Sequence, residues 1–482
     1  LAAALALLTI LAASLFVVIA AADRPSFLAA NTIQHFFPGW MAGPLGGLWP
    51  SLTRNPSTLK YLVSGALVAM YVSYLTAFAY APRLPARYAV ATVVAVHVVM
   101  FLCPPFSLTD VFNYVNYGRM EVVHHLNPYT TIPILEPHRD PSFALSNWHQ
   151  LLSPYGPLFT LTTFAVVPLG VAGSFWALKA LLMFASLATV AIVWRCAKLL
   201  GRDPVAAIVL VGLNPIVLIW GLGGDHNDAF MMLFVVLGFY ALLRGRIEPE
   251  TEAAPRTAAG EGAVEARARS WSSLGRWEVA AGAAFVTAVA IKASAGILLP
   301  VVLAATARDR RRLVSALAGM LAAGAALGAC SLIAFGLHLP DLGTQGRLVT
   351  NTSLPNLLGL ALGQGGETDT LRTLLGGVLV ASVIACCVLA FRRREPLTAA
   401  GWASVALIAT LSWVLPWYVL WVLPLAALAG SKRLRVAALV LGVYLIAVWA
   451  PATGIVFNAI GFHPENTSLG RLHHRYVKEL LF

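Results

Sequence analysis

Long apolar runs separated by short polar breaks dominate this chain. Residues 1–22, 60–80 and 88–104 each approach the roughly 20 residues an α-helix needs to cross a bilayer. Comparable runs cover 174–198, 204–222, 229–244, 313–337, 373–391, 397–413, 417–430 and 433–456. The apolar stretch 277–306 is flanked by basic residues and is read as a hairpin turning near Lys292. Residues 157–172 are short for a full span and are read as half-inserted. Alternation at period two, the signature of a membrane β-barrel, is absent. The pattern predicts an all-α, polytopic membrane protein with about 13 crossings, organised as a single domain over 1–482.

The breaks divide by character. Residues 105–156 form a long loop; loops of that length are usually functional or disordered, and its many aromatics and prolines argue against disorder. Within it, 110–123 is expected to form short helices on the membrane surface. Residues 245–276 mix Arg, Glu, Ala and Gly and read as a flexible cytoplasmic loop. Residues 338–371 form a second outer loop. Trp413, Trp417 and Tyr418 are expected at an outer turn, at the lipid–water interface.

Composition sharpens this picture. The chain is 59% hydrophobic and 11% charged, whereas soluble domains carry about 25% charged residues. The net charge of +12 fits an excess of Lys and Arg on cytoplasmic loops, and an anionic lipid substrate would suit it too. Arg83 and Arg87 mark their turn as cytoplasmic, which puts the Asp110 loop and residues 225–228 on the extracytoplasmic face of a plasma membrane. Residues 1–22 are read as a membrane helix; a cleaved signal would be shorter and follow a basic region. No basic stripe interleaves with aromatics, which argues against nucleic acid. The five cysteines lie in or beside apolar segments without a CxxC pair, which argues against zinc or redox chemistry.

Charges beside membrane segments are functional candidates by default. Asp110 follows an apolar run and suits a general base that takes a proton from an attacking hydroxyl; a helix cap is the alternative. Asp225, His226 and Asp228 could support that base, orient an acceptor, hold a metal or cap a helix. Arg119, Lys292 and Arg347 are candidates for holding a phosphate. Their alternatives are an ion pair with Glu121 or Asp140 for Arg119, snorkelling for Lys292 and a solvated charge for Arg347. Tyr155 in Pro154-Tyr-Gly-Pro157 could shape a turn or stack on a sugar.

The order Asp110-Val-Phe-Asn-Tyr114, Gly118-Arg119, Asn127-Pro-Tyr129, Ser153-Pro-Tyr-Gly-Pro-Leu158 and Gly224-Asp-His-Asn-Asp228 resembles the GT-C superfamily of integral-membrane glycosyltransferases. Within it, the chain is similar to actinobacterial polyprenol-phosphomannose-dependent α-1,6-mannosyltransferases of the MptA/MptB type, as is Asn351-Thr-Ser-Leu-Pro-Asn356. The resemblance implies an inverting transfer, without metal or other cofactor, from a polyprenyl-phosphate-mannose donor to a glycan or glycolipid acceptor at the outer face of a bacterial plasma membrane. It implies Asp110 as base, with His226 and Asp228 beside it. Arg119, Lys292 and Arg347 would bind the donor phosphate. Tyr114, Tyr117, Asn127, Tyr129, Tyr155, Asn227, Asn351 and Asn356 would contact substrate. Here a single acid, Asp110, stands where many relatives in the superfamily carry two. Another sugar on the same machinery, a lipid-linked-sugar flippase and a protein O-mannosyltransferase are the rival readings. The absence of repeated halves weighs against a transporter.

Overall fold

The computed structural model describes residues 1–23, 26–34, 37–51, 54–252 and 274–481. Every regular element among them is helical, and a single isolated bridge joins Ala29 to Phe106. Six helical segments are long and apolar enough to cross a membrane: Ala2–Asp23, Pro56–Ala79, Pro157–Leu199, Asp228–Ile247, Arg310–Phe335 and Asp369–Arg393. The pair Lys432–Trp449 and Thr453–Ala459, bent by 72°, would make a seventh.

The described residues therefore do not supply 13 full-length helices. Several apolar runs that look like spans are interrupted where the backbone cannot continue as α-helix. Residues 204–222 break at Asn214-Pro215 into the helix Pro204–Gly212 and a π-turn at Val217–Leu222. Residues 277–306, expected to turn near Lys292, do break there: the Lys292 backbone is extended between the helix Arg276–Ile291 and a 3₁₀ turn at Ala293–Ile297. Residues 416–428 open with a 3₁₀ segment, Pro416–Trp421, before the short helix Leu423–Leu428. Such breaks are tolerated at membrane depth where protein surrounds them, and residues 204–222 and 416–428 are among the most buried in the molecule.

The polar breaks also behave differently from expectation. The helix Asp110–His124 is not a surface helix: ten of its residues are buried. It packs on Pro157–Val166 and on Gly170–Leu199. Gly118 permits the approach, because a Cβ there would touch the Thr163 carbonyl at 3.0 Å. Of the 245–276 segment, residues 245–252 continue the helix Asp228–Glu252, and 253–273 lie outside the described residues. In 338–371, short helices form at Leu342–Gln345 and Leu354–Ala361.

Candidate active site

Backbone contacts bring the first loop to residues 223–228. The Phe106 N–H donates to the Gly223 carbonyl at 2.8 Å, and the Phe106 ring meets Trp220 edge-on at 5.9 Å. Asp110 begins the next helix, buried, and its Oδ1 accepts from the Tyr155 hydroxyl at 3.1 Å. His226 Nδ1 lies 3.8 Å from the same oxygen.

Tyr155 is set from several sides. Tyr114 meets it edge-on at 4.7 Å, and its carbonyl accepts from the Tyr129 hydroxyl at 2.7 Å. The next residue, Gly156, donates its N–H to the Ile291 carbonyl at 3.0 Å. A Cβ at Gly156 would collide with the Ala290 carbonyl. Because Lys292 follows Ile291, this one contact fixes Tyr155 and Lys292 relative to each other. Gly156→Ala is expected to part them, lowering kcat at least tenfold and stability by about 1–3 kcal/mol. Turnover and thermal unfolding in nanodiscs would measure both.

Residues 225–228 do not act as one cluster. Asp225, in the left-handed region at φ 60°, turns to Lys179 at 2.7 Å, and Lys179 also donates to the Cys103 carbonyl. Asp228 accepts from Lys292 at 2.7 Å and from the Trp421 indole N–H at 2.5 Å. His226 stacks on Trp417, with centroids 3.3 Å apart and planes 8° apart. Both its nitrogens, and both amide atoms of Asn227, are buried without a hydrogen-bond partner among the described residues. The Asn227 N–H donates to the Tyr114 hydroxyl at 3.3 Å. Among the described residues, no three His, Cys, Asp or Glu side chains gather as a metal-ligand set.

Electrostatics separates the two groups nearest each other. Burial pushes the Asp110 carboxyl up to about 6, against the pull of the Lys292 charge and the Tyr155 hydroxyl, while Asp228 adds to the rise. Burial, and then the Lys292 charge, hold His226 well below the usual imidazole range. His226 is therefore neutral at pH 7, and its 3.8 Å approach to Asp110 is a polar contact rather than an ion pair.

A cavity of about 430 Å³ opens on this arrangement. Asp110, Tyr155, Lys292 and Arg372 line it, together with Trp417 and Tyr418. Leu379, Leu407 and Leu411 make another part of its wall apolar. Lys292 also sits over the rings of Tyr418 and Trp421, at 5.1 and 5.6 Å. Arg372 pairs with Glu367 at 3.1 Å, and the same Glu367 oxygen accepts from Ser412 at 2.6 Å. One cavity thus combines a carboxylate of raised pKa, two cations, aromatic faces and an apolar end.

Several expected site residues lie elsewhere. Arg119 forks onto Asp140 at 2.9 Å, and His124 joins it at 2.8 Å. Burial opposes the Asp140 charge, but those donors and Ser142 outweigh it and hold the carboxyl well below the usual range. Arg119 is thus engaged structurally, as its ion-pair alternative anticipated. Arg347 lines a separate cavity of about 690 Å³ with Glu367, Asp369 and His473. Tyr117 donates to the Leu151 carbonyl at 2.6 Å and Asn127 to that of Phe335 at 2.9 Å. Tyr129 is spent on Tyr155 and Thr160. Asn356 donates to the Asn351 carbonyl and accepts from the Glu367 N–H. Asn351 faces a third cavity, of about 540 Å³.

Sequence reasoning missed Arg372, Trp421 and Trp148, which also lines the 430 Å³ cavity, and placed Trp417 and Tyr418 at the lipid interface. Both of the latter are buried in the protein, because the 3₁₀ segment carrying them packs against the π-turn at Val217–Leu222. For Arg372 a signal existed: it is the lone basic residue in the first turn of a long apolar helix.

Comparison with known proteins adds an independent line. A family model described as alpha-(1->6)-mannopyranosyltransferase, N-terminal domain, matches residues 11–308, and one described as MptB C-terminal domain matches 350–464. An alpha-(1->6)-mannopyranosyltransferase of Mycobacterium tuberculosis is 29% identical, with 73% of this chain and 67% of the relative covered. Alpha-(1->6)-mannopyranosyltransferase A of the same organism is 28% identical with the same coverage. No solved structure matches. The first matched region carries Asp110, Tyr155, His226, Asp228 and Lys292; the second carries Arg372 and Trp417.

Proposed function

The chain belongs to the alpha-(1->6)-mannopyranosyltransferase family, and from that premise we propose that it moves mannose from a polyprenyl-phosphate donor onto a hydroxyl of a mannan or glycolipid. Transfer occurs by inversion, at the extracytoplasmic face of the membrane. The observation that carries this reading is the shared cavity, where Asp110, Lys292 and Arg372 face one space with an apolar end.

The acceptor hydroxyl gives its proton to the Asp110 carboxylate as its oxygen attacks the anomeric carbon of a β-linked donor. The bond from that carbon to the phosphate oxygen breaks. Polyprenyl monophosphate leaves with the electron pair, and the product is α-linked. A carboxyl with a pKa near 6 is ionised at pH 7 yet basic enough for the step. Charge grows on the leaving phosphate, and Lys292 and Arg372 supply the facing positive charge. The aromatic walls offer surfaces for the sugar ring. Leu379, Leu407 and Leu411 suit the first isoprene units of the lipid. A flippase would spread its polar groups along a path through the membrane, whereas Asp110 and His226 converge within 3.8 Å.

The test uses purified protein in nanodiscs with labelled polyprenyl-phosphate-mannose and a short α-mannoside. The expected result is α-1,6-linked product at a rate EDTA leaves unchanged. Transfer from the glucose or arabinose donor instead would replace the sugar and keep the machinery. No transfer from any lipid-linked sugar would return the protein to the flippase reading.

A further inference from the structure

Beside the proposed catalytic cavity lies the one of about 540 Å³ that Asn351 faces, and the two share a wall. Trp413 lines both. Its neighbour Ser412 lines the catalytic cavity, and Thr350 lines the other. The Thr350 N–H donates to the Ser412 carbonyl at 2.9 Å, and the Thr350 hydroxyl accepts from the Val414 N–H at 3.3 Å. The partition is thus a single hydrogen-bonded seam.

The lining of the second cavity mixes aromatic faces with neutral hydrogen-bonding groups. Trp413, Trp449, Phe457 and Phe462 provide the faces; Asn351 and Asn458 provide amide donors and acceptors. Phe457 and Phe462 meet edge-on at 4.9 Å, which fixes their planes. Among the described residues no Lys or Arg lines this cavity, and the one carboxylate, Glu465, lies 3.4 Å from His463. A phosphate or other anion thus meets no lysine or arginine there, only the imidazoles of His463 and His474. The neighbouring 690 Å³ cavity is the opposite, walled by Arg347, Arg372, Glu367 and Asp369. A neutral ring with one apolar C–H face and many hydroxyls matches the aromatic cavity, whose size is ordinary for a small-ligand site.

We propose that this cavity is an acceptor subsite that holds mannosyl residues of a neutral oligomannoside beyond the one being extended. The inference rests on the mannosyltransferase reading and deepens it: the site would make longer acceptors better ones. Trp413 would be the surface over which the chain passes between the two cavities.

The experiment measures transfer to α-1,6-mannobiose and α-1,6-mannotetraose by the wild type, Phe457→Ala and Asn458→Ala. The wild type should favour the tetraose. Both variants should raise the tetraose KM about tenfold, leaving the donor KM and the mannobiose rate unchanged. Asn458 is exposed on the short helix Thr453–Ala459, so its truncation keeps the test sound if Phe457→Ala folds poorly. No length preference in the wild type, or a preference intact in both variants, overturns the inference while mannosyl transfer stands. If no sugar is transferred at all, the function reading fails by itself. Tryptophan-fluorescence titration with mannotetraose then decides this one. Saturable quenching lost in Phe457→Ala supports it; quenching that is absent, or equal in both proteins, overturns it.

Discussion

Asp110→Asn is expected to lower mannosyl transfer by about 10²–10⁴-fold, the range a positioned general base contributes. The substitution keeps shape and leaves an oxygen to accept from Tyr155, so the surroundings have little reason to rearrange. What it removes, in the proposed mechanism, is the destination of the acceptor proton. Donor affinity, read from the donor KM, should change little, because Lys292 and Arg372 remain. The wild-type rate should also fall as pH drops through about 6, since a protonated carboxyl cannot take the proton. That acid limb should vanish from the residual activity of Asp110→Asn. Tyr155→Phe should move it upward, because the Tyr155 hydroxyl stabilises the carboxylate. Full activity in Asp110→Asn would pass the role of base to Asp228 or His226.

Lys292→Met is the second large effect, and it has two parts. Asp228 is buried, and without Lys292 it keeps only the Trp421 N–H. Leaving one partner of a buried pair unpaired typically costs about 3–5 kcal/mol. In the proposed mechanism the cavity also loses a cation facing the leaving phosphate, a change that lowers kcat by about 10²–10³ where one such group is removed. The double variant Asp228→Asn/Lys292→Met separates the parts. It should regain most of the thermal stability in nanodiscs while its kcat stays low. A double variant that regains kcat as well would show that Lys292 serves only to neutralise Asp228.

Two aspartate–lysine pairs thus flank His226, with different consequences. Lys179–Asp225 is buried on both sides and lines no part of the catalytic cavity; it holds the tight turn before His226. Lys292–Asp228 has its lysine end open to the cavity. Two aspartates three positions apart in sequence therefore belong one to the scaffold and one to the proposed chemistry.

The long helices were legible in the chain because crossing a bilayer demands about 20 apolar residues, and that demand is local. Asp110, His226, Asp228 and Lys292 were legible for a related reason: a charge at the edge of an apolar run is costly unless it has a task. Tertiary structure decided what such a charge is spent on. Arg119 finds Asp140 within its own loop, while Arg372 enters the cavity from a helix more than 250 residues after Asp110. The runs 204–222 and 417–430 read as plain spans because nothing local announces that their interruptions pack against each other. Trp417 and Tyr418 looked interfacial for the same reason: an amphipathic ring suits a lipid headgroup or a protein interior equally, and only packing such as that of His226 on Trp417 tells which. Sequence by itself determined the membrane class and most of the residues that meet at Asp110. Which cations and rings join them depended on contacts between distant segments, and no local pattern encodes those.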